Sequence, residues 1–161
     1  MNQYRITKYN PKFRDARGAY MKPDWTSMSD VGRSFDGVTL EKEEYLATES
    51  AYIDSVMGFI SEDQISALRA VGVENHRKVI TPKEAHLVCA ADLPEIIRSI
   101  LREEFWCRLE IDDRFIHFGY DYYIYIGVKN RCAASIQSAQ AKGLFVEPFT
   151  SPYLETEENR A

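Results

Sequence analysis

Between Thr39 and Ile60 the large residues Tyr45, Tyr52, Ile53, Val56, Met57 and Ile60 recur at the spacing that places them on one side of a helix. The pattern predicts an amphipathic helix over 40–60. Thr39 is a suitable N-cap, and Glu41, Glu43 and Glu44 suit the positive end of the helix dipole. At the start of the chain the period is two instead: Tyr4, Ile6 and Lys8 alternate with Arg5, Thr7 and Tyr9, a short strand ended by Asn10-Pro11. From Lys12 to Gly32 no period holds. WTSMSDVG (25–32) is rich in side chains that bond their own backbone, which predicts a long ordered loop pinned by Trp25.

Further along, ALRAVGV (67–73) reads as a strand. Thr81-Pro82-Lys83-Glu84 has a capping residue, a proline at the first helical position and a glutamate three past the cap, which predicts a helix over 82–90. Asp92-Leu93-Pro94-Glu95 repeats that logic, and Ile96, Ile97, Ile100 and Leu101 supply the buried stripe of a helix over 93–104. The runs FWCRLEI, RFIHFGY and YYIYIG, rich in aromatic and β-branched residues, form the β centre over 105–127, with turns at Asp112-Asp113 and Gly119-Tyr120-Asp121. Asn130 is placed to cap a helix over 131–142, Gly143 to end it, and Leu144 to Val146 to form a last strand.

The predicted fold class is therefore α+β: a mainly antiparallel sheet centred on residues 105–127 with about four helices packed against it. Residues 1–149 are expected to form a single domain and 150–161 (TSPYLETEENRA) a loose acidic C-terminal tail. A chain of 161 residues, 45% hydrophobic and 28% charged, has the size and balance of one folded core.

Charge and cysteine usage narrow the function. A formal net charge of -5 disfavours direct binding of nucleic acid, which needs a basic stripe. The acidity is uneven: residues 38–63 hold seven Asp/Glu against Lys42 alone. Cys89, Cys107 and Cys132 are odd in number and form no CxxC pair, which fits a reducing cytoplasm. No apolar run is long enough for a membrane span, and residues 1–13 lack the apolar region of a signal peptide.

Candidate chemistry is sparse. His76, His86 and His117 lack metal-site spacing, with or without Glu84, and the glycines form no phosphate loop, so neither a metal nor a cofactor is expected. Cys107, His117 and Asp121 could serve a small hydrolase or transferase as nucleophile, base and orienting carboxylate. The plainer reading is an aromatic strand ending in a hydrogen-bonded histidine. Glu41, Glu44, Asp54 and Glu62 could steer a basic partner or be a solvated helix face. Trp25 and Tyr120 could anchor an interface or be lids on the core.

YRITKYNP (4–11), WTSMSDVG (25–32) and HFGYDYYIYIG (117–127) resemble segments of a small group of bacterial proteins similar to the immunity proteins that accompany secreted or contact-delivered toxins, as in contact-dependent growth inhibition. The resemblance implies a cytoplasmic, non-catalytic protein that binds and neutralises one cognate toxin, commonly a basic nuclease domain. It carries no functional residue over. A domain that binds a small molecule in an apolar pocket lined by Tyr122 to Ile126 stands as a further alternative.

Overall fold

The computed structural model describes residues 1–154. Seven strands form one antiparallel sheet: β1 (Asn2–Thr7), β4 (Ala67–Glu74), β5 (Leu87–Cys89), β6 (Trp106–Ile111), β7 (Arg114–Phe118), β8 (Ile124–Val128) and β9 (Phe145–Pro148), in the order β5-β4-β6-β7-β8-β1-β9. A separate hairpin pairs β2 (Ser34–Phe35) with β3 (Val38–Thr39). Three α-helices accompany the sheet: α1 (Lys42–Glu62), α2 (Leu93–Leu101) and α3 (Ala133–Ala141). The predicted class holds, with one helix fewer than expected.

Alternation along the strands sorts side chains between two faces. Ile6, Leu68, Cys107, Leu109, Ile116, Phe118, Ile124 and Ile126 join one core with Tyr45, Tyr52, Phe59, Leu93 and Ile97 of the helices. Arg5, Glu110, Phe115, His117, Tyr125 and Glu147 occupy the alternate positions and belong to the other face. Gly127 sits among them because a Cβ there would stand 2.3 Å from the Phe115 ring.

The missing helix has a specific cause. Glu84 does not bond back to a cap; its carboxylate accepts the backbone N–H groups of Gly72 and Val73, both at 2.8 Å, where β4 bulges between Val71 and Glu74. Gly72, at φ +65°, permits that bulge. Those amides lower the pKa of Glu84. Residues 75–86 consequently run as a loop, and 87–89 pair with 67–69 as an edge strand inside the span predicted as helix 82–90.

Other boundaries moved for similar reasons. Thr39 belongs to β3, where its hydroxyl meets that of Ser34 at 2.9 Å, and α1 starts after Glu41. The Asn130 N–H donates to Asp63 at 2.8 Å instead of opening α3, which follows Cys132 in a left-handed conformation. Gly143, at φ +85°, does end α3. Of the stretch expected as a loose tail, residues 150–154 include Ser151, which is buried, and Tyr153, which packs on Trp106; residues 155–161 lie outside the described residues.

Candidate functional site

The four acids that the sequence offered as one surface do not gather. Glu41, Glu44 and Asp54 are exposed. Ten residues of α-helix separate the last two by about 15 Å along the axis and about 80° around it. Glu62 is engaged elsewhere: its carboxylate accepts the N–H of Ser135 at 2.9 Å and its hydroxyl as well, which lowers the Glu62 pKa and closes the first turn of α3. Trp25 is not an interface anchor either. It is 5% exposed and meets Tyr45 and Tyr122 edge-on at centroid distances of 5.3 and 5.0 Å, so it is a lid on the core. The Lys8 ammonium sits 3.9 Å above the Trp25 ring and 3.0 Å from Asp24; burial lowers its pKa to about 8, against the pull of Asp24.

Cys107, His117 and Asp121 are kept apart by the sheet. Cys107 lies in the helix-covered core, and burial pushes its thiol up to about 12. His117 lies on the other face with Nδ1 2.7 Å from the Ser151 hydroxyl and Nε2 2.8 Å from Glu110. Because an ionised carboxylate can only accept, Nε2 carries the proton in neutral His117 and Nδ1 accepts from Ser151. This order of groups could polarise a serine hydroxyl. Yet His117 is 0% and Ser151 3% exposed, Phe115 stacks on the imidazole at 4.2 Å, and the Ser151 oxygen also accepts the Tyr153 N–H. The arrangement ties the segment after β9 to the sheet. Nothing in the sequence signalled it, since Ser151 stands 34 residues beyond His117.

Tyr120 is where an exposed aromatic was expected, 80% accessible on a tight turn. The turn is strained: Asp121 and Tyr122 hold φ of 62° and 69°. Such positions cost on the order of 1 kcal/mol or more each and persist where surrounding contacts over-determine them. Here two tyrosine hydroxyls do so. Tyr9 shares its proton between the Asp121 carbonyl at 2.8 Å and the Trp25 carbonyl at 2.9 Å, and Tyr52 donates to the Tyr122 carbonyl at 2.9 Å. Behind them the Tyr122 hydroxyl donates to Tyr45 and that of Tyr45 to Glu49, which Arg98 and Arg102 neutralise.

Beside this turn lies a cleft of about 250 Å³. Its apolar wall is Ile100 and Leu101 from the end of α2, Phe105 and Trp106 from the start of β6, and Phe118, Tyr120 and Tyr122 from the end of β7 and the turn. Glu74, Glu103, Glu104 and Asp121 supply four carboxylates, against Arg77 and His76 from the loop after β4. Of the residues proposed from sequence, Tyr120 lines this cleft, and Asp121 joins it as a rim acid instead of a catalytic partner. Among the described residues the run Tyr122 to Ile126 does not line one apolar pocket: Ile124 and Ile126 are packed in the core, Tyr122 reaches the cleft, and Tyr123 lines a separate polar hollow with Lys22 and Asp24.

Neither protein-family models, nor curated proteins, nor solved structures give a match to this chain. Among the described residues no group of three or more His, Cys, Asp and Glu side chains is arranged to hold a metal ion, and no helix is long and apolar enough to cross a membrane.

Proposed function

We propose that this chain is a non-catalytic binding protein of the immunity type, which grips a basic protein partner such as a nuclease toxin domain at the cleft beside Tyr120. The observation that carries the reading is an aromatic side chain held 80% exposed at the mouth of an apolar cleft by a turn that buried tyrosines keep in a strained form. A tyrosine on a turn of fixed backbone has only two side-chain torsions to order on binding, and such anchors dominate many interfaces. The acidic rim adds attraction for a positive surface and a like-charge penalty for acidic competitors. Sequence resemblance supplies the cytoplasmic setting and the toxin as partner.

The test is co-purification of a partner from the native host, followed by surface-immobilised kinetics with that purified partner at rising salt. Tyr120→Ala is expected to weaken the complex at least roughly fivefold, as truncation of an interface anchor does. Added salt should slow association. Wild-type affinity in Tyr120→Ala, or turnover of a substrate by the isolated protein, overturns the reading.

A further inference from the structure

We propose that the occupant of the cleft is a single arginine side chain of the partner, its guanidinium stacked on the aromatic wall and paired with the rim carboxylates. This deepens the proposed function and rests on it. Size is the first argument: at about 250 Å³ the cleft falls below the roughly 300–1,000 Å³ of pockets that enclose drug-sized ligands, which suits one side chain.

Charge is the second. Four acidic residues line the cleft, from β4, the stretch after α2 and the turn, and Arg77 is the one arginine or lysine among the lining residues. Two of the acids, Glu103 and Glu104, follow the carbonyl end of α2, where the helix dipole is negative and favours cations. The cation nearest in sequence, Arg102, is already taken by Glu49 at 2.8 Å. Glu103 also holds a φ of 59°, at a place where helices commonly end in glycine. Negative charge accumulates here against two local preferences, and the missing complement is a positive group. Violations of this kind concentrate at functional sites.

The aromatic wall then selects among cations. Tyr120, 80% exposed, lines the cleft beside the acidic residues and leaves its ring open to a cation. A guanidinium is planar and weakly hydrated, so it can stack and form paired hydrogen bonds together, whereas an ammonium is a compact, strongly hydrated charge.

N-acetyl-arginine amide, N-acetyl-lysine amide and the uncharged isostere N-acetyl-citrulline amide are titrated into the full chain, with Trp106 fluorescence and backbone amide shifts as readouts. The arginine probe is expected to bind in the millimolar range, shift the amides of 103–104 and 119–121, and outcompete both others. Tyr120→Ala and the pair Glu103→Gln/Glu104→Gln should each weaken it roughly fivefold or more, and Arg77→Ala should tighten it. Equal binding of the citrulline probe, shifts mapping elsewhere, or no binding overturns the assignment. The two readings separate cleanly. If the arginine probe binds as stated but Tyr120→Ala leaves the partner's affinity unchanged, the partner-binding role of the cleft fails and the cation site stands. If the partner needs Tyr120 but citrulline matches arginine, the occupant fails and the binding role stands.

Discussion

Two sets of acids in this molecule have opposite relations to the fold. Along α1 and its end, Glu49, Glu62 and Asp63 are each bound by groups brought from elsewhere: Glu49 by Arg98 and Arg102, with Tyr45 of its own helix, Glu62 by Ser135, and Asp63 by Arg114 and the amides of 129 and 130. At the cleft, Glu74, Glu103, Glu104 and Asp121 come from three separate stretches of chain and converge on one hollow, with no side-chain ion pair shown for them among the described residues. The first set is close in sequence and holds the structure together. The second is scattered in sequence and brought together by it. Aromatic residues repeat the contrast, with Trp25 closed into the core and Tyr120 left outside.

Removing one acid from each set separates the two roles by the largest margin. Glu49 is 2% exposed, and Glu49→Ala strands two arginines beside Tyr45. Breaking a buried pair by deleting one partner costs about 3–5 kcal/mol. Urea unfolding should show that loss, whereas Glu103→Gln should stay within about 0.5 kcal/mol of wild type, as exposed substitutions do. A large loss in Glu103→Gln would make the rim a structural feature.

The aromatic pair gives the next effect. Trp25→Ala opens a cavity against Tyr45 and Tyr122 and is expected to cost about 3–5 kcal/mol. Tyr120→Ala should leave stability within about 0.5 kcal/mol. Thermal melts of both variants check this.

Acid weakens the first set. Burial alone would raise the carboxyls of Glu49 and Asp63, but Arg102 and Tyr45 at the first, and backbone amides with Arg114 at the second, lower both overall. A carboxyl whose folded pKa lies below its unfolded value, about 4, stabilises the protein above that pH, and the contribution fades as pH falls toward the folded value. His117 is also lowered, by burial first and against the pull of Glu110, with Arg108 opposing protonation. Its neutral form favours the native state, so stability should begin to fall as pH drops below about 6.5. In His117→Gln the decline between about pH 6.5 and 5 should shrink, measured by urea midpoints across pH. An unchanged slope there would mean His117 does not stay neutral in the fold.

What could be read from the sequence follows from the range of the interactions involved. The α1 stripe, the pinning by Trp25 and the three strands over 105–127 depend on local period and turn chemistry, and they were legible. Thr81 to Glu84 looked like a helix start because the capping signature is local, while the real partner of Glu84 is a bulge twelve residues away in β4. The cleft was beyond reach for the same reason. Its wall joins residues near 26, 74–77, 100–106 and 118–122; Tyr120 is marked in the sequence as an aromatic on a turn, while His76, Asp121 and Tyr122 are marked for other roles.

The smallest expected effect concerns the exposed acids that remain on and before α1. Glu41, Glu44 and Asp54 are exposed and make no side-chain ion pair among the described residues, so replacing all three by glutamine should leave stability within about 0.5 kcal/mol. It removes three negative charges, as does neutralising Glu103, Glu104 and Asp121. If total charge alone steers the partner, both triple variants slow association alike, and equally at every salt concentration. If the cleft is the docking site, the rim variant slows association more and also speeds dissociation, because its charges stay within a Debye length of the bound partner. The α1 variant should change only the association rate, by less than about twofold, and that difference should vanish at high salt.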